Sequence, residues 1–104
     1  MMAEIERTKQ FALDVPFEDT AQRITYDTLM LRAPTLSQAE QFYEKQSATN
    51  SLAAMRLLIS LTAGGIPESV LSKMDFLDFR KCEEYLLTFL TWSASASGRS
   101  GPQT

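Results

Sequence analysis

Residues 51–63 read Ser-Leu-Ala-Ala-Met-Arg-Leu-Leu-Ile-Ser-Leu-Thr-Ala, and they restrict the fold more than any other segment of the chain. At about 100° per residue, the large apolar side chains of this segment cover more than half of a helix circumference. These side chains are Leu52, Met55, Leu57, Leu58, Ile59 and Leu61, and only Arg56 and Ser60 form a narrow polar stripe. A helix with so wide an apolar surface is usually buried between neighbours. We therefore predict a small helical domain built around this central helix.

Composition limits both the size of the domain and its chemistry. The 104 residues, 44% of them hydrophobic, are enough for one domain with a modest core. Thirteen acidic and ten basic side chains give a net charge of −3, a poor match to the basic stripe of a nucleic-acid-binding protein. The lack of histidine excludes a Ser-His-Asp triad, a Cys-His pair and a His-ligated metal. We expect no nucleic-acid partner.

Cysteine usage and the longest apolar runs bear on the compartment. The single cysteine, Cys82, cannot form an internal disulfide, which favours a reducing compartment. Its place on an apolar helix face predicts a small buried side chain rather than a reactive thiol. The charged N-terminus has no apolar run behind it, and Arg56 and Thr88 interrupt the later apolar stretches. We expect neither a signal peptide nor a membrane span.

Two segments near the N-terminus have the patterns of β-strands. After an irregular start over residues 1–8, apolar and polar residues alternate over 11–17, and Pro16 should close this strand near its end. Residues 23–32 are rich in β-branched and aromatic side chains and predict a second strand. The two strands, linked by residues 18–22, predict a β-hairpin covered by the central helix. The second strand divides its apolar residues between one face with Ile24, Tyr26 and Met30 and another with Leu29 and Leu31.

A capping signal places the first helix. Pro34 disfavours helical geometry in the residue before it and ends the second strand. Thr35 and Gln38 then have the spacing of a capping box, in which each side chain accepts a backbone N–H bond from the other residue. We predict that a surface helix starts at Leu36.

The central helix has recognisable ends as well. Asn50 or Ser51 can cap its start, and Gly64-Gly65 can supply the left-handed conformation that helix ends prefer. The glycine pair lacks the further glycines and the Lys-Ser/Thr of a phosphate-binding loop. We therefore interpret it as a helix end.

The rest of the chain predicts two more helices and a tail. Pro67 starts a short helix that continues to Lys73. Asp75 caps the last helix, Asp78 lies in its first turn near the helix dipole, and the helix continues to about Trp92. Residues 94–104 are rich in Ser and Gly and predict a disordered tail. The predicted fold class is mainly α (α+β), with an N-terminal β-hairpin and about four helices forming one domain over residues 1–93.

Acidic residues near the start of the last helix are Asp75, Asp78, Glu83 and Glu84. They lack the spacing and the glycine turn of an EF-hand, and the two aspartates are better placed to bind the N-terminus of their own helix. We expect Glu84 to pair with Arg80, and Glu83 to pair with Arg56 of the central helix. We predict that these contacts are structural, the Arg56–Glu83 pair being functional only if one member is released on binding a partner, and we predict no metal, cofactor or catalytic residue.

Taken in order, these elements resemble a known family. The second strand ends in Leu-Arg-Ala-Pro-Thr at 31–35, Gly-Ile-Pro at 65–67 follows the central helix, and Asp-Phe-Leu-Asp-Phe at 75–79 opens the last helix. In these motifs and in their order, residues 11–90 resemble the tail assembly chaperones of Mu-like and related contractile-tailed phages. Members often carry a glycine in the hairpin link, whereas residues 18–22 contain none.

The resemblance implies a non-enzymatic protein that binds the long, mostly helical tape measure protein before the tail tube polymerises. Such a protein is made in the bacterial cytoplasm and is absent from the finished tail, and a ribosomal frameshift often yields a longer second product. The alternatives are a small helical transcriptional regulator or antitoxin, an interaction module of another kind, and a small enzyme or metal protein. A regulator would need a recognition helix with several exposed Arg and Lys residues, which none of these helices shows.

Aromatic residues on the last helix predict a partner-binding surface. The last helix has a broad apolar arc that should pack on the central helix, formed by Phe76, Phe79, Cys82, Leu86, Leu87, Phe89 and Leu90. Tyr85 and Trp92 lie just outside this arc and form an aromatic ridge beside Phe89, with Lys81 flanking it. We predict that this aromatic ridge contacts a tape measure helix or a second copy of the chain. The competing prediction is that the first helix, which carries Phe42 and Tyr43, folds over it.

Overall fold

A computed structural model of the chain describes residues 6–92. The elements in chain order are β1 (Thr8–Asp19), β2 (Ile24–Arg32), α1 (Leu36–Ala48), α2 (Ser51–Thr62), α3 (Glu68–Leu71) and α4 (Phe76–Leu90). The predicted α+β class, with a hairpin followed by four helices, is confirmed. The predicted tail, 94–104, lies outside the described residues. Within residues 6–92, no helix has the length and apolar character needed to cross a membrane.

The hairpin contains a large bulge. β1 and β2 pair antiparallel from Thr8 and Arg32 to Ala12 and Thr28, and pairing resumes at Phe17. The prediction that Pro16 closes the strand was therefore wrong, because β1 continues to Asp19. Proline lies where the ladder is already interrupted, so its missing N–H removes no cross-strand hydrogen bond.

The hairpin turn is held by Asp19. Its buried carboxylate accepts hydrogen bonds from the backbone N–H of Gln22 at 3.1 Å and from Gln22 Nε2 at 2.8 Å. Arg23 follows with φ of 58°, in the left-handed region that favours glycine. In a link without glycine, Arg23 takes the strained position, and β2 begins one residue later than predicted.

The division of β2 into two faces is confirmed. Leu29 and Leu31 are buried and join Leu13 and Phe17 of β1 in the core, whereas Met30 is exposed. A two-stranded sheet is marginal in water without such a covered face. The helices thus stabilise the hairpin, with α2 in contact with β2 and α4 in contact with β1.

The predicted caps of α1 and α2 are also confirmed. Thr35 Oγ1 accepts the Gln38 N–H at 3.1 Å while Gln38 Oε1 accepts the Thr35 N–H at 3.0 Å, completing the capping box. Asn50 Oδ1 accepts the Ala53 N–H at 2.7 Å at the start of α2. At its end, Gly64 and Gly65 both have positive φ, and the Gly65 N–H donates to the carbonyl of Ser60.

The central helix α2 is the middle of the core, in contact with α1, α3, α4 and β2. Met55, Leu58 and Ile59 are almost completely buried. Two details differ from the prediction. Leu52, in the first turn of α2, is 54% exposed, whereas Ser60 is buried and its hydroxyl donates to the carbonyl of Ile66 at 2.6 Å. A short hydroxyl side chain enters a core readily once its hydrogen bond is made.

We predict that the buried part of α2 dominates stability. Leu58→Ala should lower the free energy of unfolding by about 2–5 kcal/mol, because it removes a fully buried side chain and leaves a cavity. Thermal unfolding followed by circular dichroism measures the change. Leu52→Ala, on the same helix but half exposed, is the matched control and should cost less than about 1 kcal/mol. Equal melting temperatures for the two variants would contradict this account of the core.

Candidate partner-binding surface

The last helix is joined to the hairpin by a buried carboxylate. Asp78 Oδ1 accepts the backbone N–H of Asp14 at 3.1 Å, and Oδ2 accepts that of Val15 at 3.0 Å. Lys81 Nζ lies 3.2 Å from Oδ1 and also binds the Asp14 carboxylate at 3.0 Å. We call this set the Asp78 clamp. Asp78 lies in the first turn of α4 as predicted, but its partners are the N–H groups that the β1 bulge leaves free, not its own helix terminus, which Asp75 caps.

The clamp fixes the charge states of its two side chains. Burial raises the pKa of the Asp78 carboxyl, but the N–H donors of Val15 and Asp14 together with Lys81 outweigh burial and hold the pKa below its ordinary value of 3.8. Hydrogen bonds to Asp14 and then to Asp78 raise the pKa of Lys81. Asp78 is therefore ionised at neutral pH. Its contribution to stability is present above the unfolded-state pKa and is lost as the pH falls through the lowered folded-state pKa.

The residues of the predicted aromatic ridge differ in their exposure, and Tyr85 is buried. Tyr85 is only 8% exposed, and its hydroxyl donates to the carbonyl of Glu6 at 2.6 Å. Its ring lies edge-on to Phe11 at 5.7 Å and to Phe89 at 5.1 Å between centroids. The prediction of an exposed Tyr85 was therefore wrong. The strand β1, through Phe11, supplies the cover that the competing prediction assigned to α1.

Only the end of the aromatic ridge remains accessible. Trp92 is 52% exposed and Phe89 is half-buried against Tyr85. Lys81, predicted to flank the aromatic ridge, is held by the Asp78 clamp. Burial raises the pKa of the Tyr85 hydroxyl, with a smaller contribution from Glu6, so this group is neutral at physiological pH. Tyr85 and Lys81 serve the fold, and Trp92 is the exposed aromatic residue of the set.

The predicted partners of Arg80 and Arg56 were wrong, because each arginine pairs with a different glutamate. Arg80 Nε pairs with Glu83 Oε1 at 3.0 Å rather than with Glu84, and Arg56 faces Glu68 of α3 rather than Glu83. On a helical wheel, Glu83 and Glu84 are equally within reach of Arg80, so the wheel does not decide between them. Nor does it show the path of α3, which brings Glu68 to Arg56.

Neither the acidic residues nor the cysteine of residues 6–92 is arranged for metal binding or nucleophilic chemistry. Among residues 6–92, no cluster of His, Cys, Asp and Glu has the arrangement of a metal site. Cys82 is buried, as predicted, and burial raises the pKa of its thiol to about 12, so that the nucleophilic thiolate is not formed at neutral pH.

An apolar groove that the sequence did not reveal lies between the starts of α2 and α4. We call it the α2–α4 groove; its volume is about 150 Å³, and its walls are Leu52, Arg56, Leu71, Ser72, Met74, Phe76 and Phe79. Leu52 and Phe76, both predicted to pack in the core, are 54% and 53% exposed. Each lies in the first turn of its helix, where the neighbouring elements leave the side chain partly open. The excess of apolar positions in both helical wheels was the available signal.

A comparison with protein families decides the assignment. The family model described as "Phage tail assembly chaperone proteins, E, or 41 or 14" matches residues 10–91. The chain belongs to the phage tail assembly chaperone family. The match extends from β1 to the end of α4, so it includes the Asp78 clamp and the α2–α4 groove. Searches of curated proteins and of solved structures gave no match. The family resemblance predicted from the sequence is thus confirmed.

We predict that the Asp78 clamp is essential to the stability of this chaperone. Asp78→Asn should lower the free energy of unfolding at neutral pH by about 2–4 kcal/mol, because the amide N–H₂ cannot accept the second backbone hydrogen bond and Lys81 loses a counterion. The difference from wild type should shrink as the pH falls below 3.8 and the wild-type carboxylate becomes protonated. Urea denaturation between about pH 7 and pH 2 measures both effects.

Asp75→Asn is the matched control for this experiment. Asparagine caps a helix as well as aspartate does, so this variant should change stability by less than about 0.5 kcal/mol. If Asp75→Asn and Asp78→Asn unfold at the same urea concentration at every pH, the clamp does not have the proposed role.

Proposed function

We propose that this tail assembly chaperone binds the tape measure protein in the host cytoplasm, without enzymatic activity, and does not remain in the finished tail. The observation that carries the proposal is the family match over residues 10–91. A tape measure protein with amphipathic helices has apolar faces that need cover until the tail tube encloses them. A small protein with accessible apolar helix positions is suited to supply that cover.

The exposed surface supports this role. The described helices carry exposed large apolar side chains, among them Leu52, Phe76, Leu77 and Leu87, and the exposed Trp92 follows the end of α4. The molecule is also elongated, with extents of 52 × 32 × 21 Å. An elongated shape places more of these side chains at the surface than a sphere of equal mass would. Single exposed apolar residues are common on any protein, but contiguous ones mark docking surfaces, and Leu52 and Phe76 line the same groove.

The chemistry of the described residues gives no support to an enzyme. The sequence has no histidine, the Cys82 thiol is protonated at neutral pH, and Asp78 is a fully committed hydrogen-bond acceptor. A general base needs a pKa near the working pH and access to a substrate. None of these groups combines the two properties.

The regulator alternative is weakened by the use of the basic side chains. Lys73 donates to the carbonyl of Glu18 at 3.1 Å, Lys81 belongs to the Asp78 clamp, and Arg56 and Arg80 each face a glutamate. Phosphate contacts depend on Lys and Arg side chains that are free to replace the counterions of DNA. Within residues 6–92, Lys73, Lys81 and Arg80 are instead engaged with the protein itself, and Arg56 is the one cation of α2 to α4 that is only partly bonded, which is too few for a set of phosphate contacts.

The remaining part of the aromatic ridge is a proposed contact surface. Trp92 is accessible and Phe89, three residues before it, is half-buried against Tyr85. Tyr85 and Lys81 hold α4 against β1. An exposed tryptophan offers the largest apolar area of any side chain and is enriched where protein partners dock. We assign the tape measure protein as the partner of this end of α4.

We predict that the tape measure protein of the same phage co-purifies with this chain. Co-expression should keep the tape measure protein soluble, because the chaperone covers apolar helix faces that otherwise associate with each other. Affinity purification through a tag on the chaperone measures retention, and the tape measure protein expressed alone is the control. The proposal would be contradicted if the tape measure protein stays soluble when expressed alone and is not retained by the tagged chaperone. A shift of duplex DNA in a gel at low salt would favour the regulator instead.

We further predict that Trp92→Ala weakens tape measure binding by about tenfold while leaving the melting temperature unchanged, because the side chain is half exposed. Trp92→Phe, which keeps an aromatic face, should retain most of the affinity. Tyr85→Ala should instead lower the melting temperature, because it removes a buried ring and its hydrogen bond. Undiminished binding by a folded Trp92→Ala variant would remove the aromatic ridge from the interface.

A further inference from the structure

The α2–α4 groove has the size and surface of a pocket for one side chain. Its floor is formed by the buried Leu71 and Phe79, and Leu52 and Phe76 stand half exposed at its walls. A volume of about 150 Å³ with apolar walls is comparable to cavities that hold a benzene-sized group. One Leu, Met or Phe side chain of a partner would fill it.

The walls of the groove are already fixed in place. The Phe76 ring stacks on Phe79 with 6.0 Å between centroids, and the guanidinium of Arg80 also lies over the Phe76 ring, 5.6 Å from its centroid. Asn50 and Asp75 cap the two helices immediately before Leu52 and Phe76. A partner side chain would therefore enter a formed pocket, and little conformational freedom of the groove would be lost on binding.

At the edge of the groove, the Arg56 side chain is 40% exposed and only partly hydrogen-bonded. Arg56 Nη1 donates to Ser72 Oγ at 3.3 Å, and Nε is buried without a hydrogen-bond acceptor among residues 6–92. Glu68 Oε1 lies 3.5 Å from Nε, an ion-pair distance without the geometry of a hydrogen bond. Because a guanidinium has five donors arranged to bind a carboxylate at two points, Arg56 is incompletely satisfied.

The two features together specify the chemistry of the occupant. The groove offers an apolar slot with one cation, Arg56, in its wall, whereas Arg80 lies over the Phe76 ring and outside the lining. Glu68 lies at ion-pair distance from Arg56 but makes no hydrogen bond to Nε, so the exposed part of this guanidinium can still bind a carboxylate. A complementary partner therefore presents a large apolar side chain with a carboxylate about one helical turn away, the spacing of positions i and i+3 or i+4.

We propose that the α2–α4 groove binds an acidic amphipathic helix of the tape measure protein, with one apolar anchor in the slot and a neighbouring Asp or Glu on Arg56. The inference rests on the proposed function and names the surface that performs it. The α2–α4 groove is separate from the aromatic ridge, since α2 and α3 form two of its sides and Trp92 lies beyond the other end of α4.

Substitutions that introduce a negative charge into the slot test the proposal. Phe76→Asp and Leu52→Asp each remove an apolar wall, and both positions lie in the first turn of a helix, where aspartate is well tolerated. In Leu52→Asp the new carboxylate also lies four residues before Arg56 and would occupy its free donors. Each variant should bind the co-expressed tape measure protein at least about tenfold more weakly than wild type.

Leu36→Asp is the matched control. Leu36 is the first residue of α1 as Phe76 is of α4, and it is also exposed, but it does not line the groove. This variant should bind within about twofold of wild type. Circular dichroism and size-exclusion chromatography verify that all variants keep the fold and the oligomeric state.

Arg56→Gln tests the electrostatic part separately. It keeps much of the side-chain volume but removes the charge, so the affinity for the tape measure protein should fall by roughly threefold or more at low salt and change less on adding salt than the wild-type affinity does. An Arg56→Gln affinity with the wild-type salt dependence would remove the carboxylate contact from the proposal.

The outcomes separate this inference from the proposed function. If wild type does not bind the tape measure protein, both are overturned. If wild type binds and the folded Phe76→Asp and Leu52→Asp variants bind equally well, the proposed function stands and the groove assignment is wrong. If these variants change only self-association, the groove takes a second copy of the chain, and the inference is overturned as well. Loss of binding in both, with Leu36→Asp unaffected, supports it.

Discussion

The fold depends on one buried negative charge that ties its first element to its last. Asp78 is completely buried, and a buried carboxylate is costly unless several donors surround it. Two of its donors are backbone N–H groups of Asp14 and Val15, which exist as free groups only because β1 bulges there. The bulge and the carboxylate are therefore mutually dependent: without Asp78 the bulge leaves unpaired N–H groups, and without the bulge Asp78 lacks its donors.

This dependence determines where the accessible surfaces lie. Once Asp78 anchors the start of α4 at the bulge, α4 extends beside β1 toward the N-terminal end of the strand, and Tyr85 reaches Phe11 and the carbonyl of Glu6. The middle of α4 is consequently covered by the hairpin. Apolar side chains remain accessible at its two ends, at Phe76 and at Trp92, and these are the places where a partner helix can gain contact area.

The helix caps, whose hydrogen bonds are local in sequence, could be predicted, whereas contacts between distant segments could not. The caps at Thr35, Asn50 and Asp75 were predicted because each bond spans two or three residues and its residue types are nearly diagnostic. The partners of Asp78 and Tyr85 lie more than sixty residues away in sequence. A helical wheel shows which side of a helix is apolar, but not which element covers it. The mistaken exposure of Tyr85 and the missed groove both follow from that limit.

The exposed apolar residues at helix starts have a thermodynamic implication for the proposed role. Leu52 and Phe76 each lie in a first turn, where the helix forms through its cap and does not need these side chains to be buried. They add little to the stability of the free chaperone, whereas full burial of one such side chain against a partner stabilises the complex by about 1.5–3 kcal/mol. A slot that accepts one anchor gives each copy a modest affinity, because association also costs rigid-body entropy. On the proposed function, a long tape measure helix would be covered by many weakly bound copies, each of which the polymerising tail tube can displace singly.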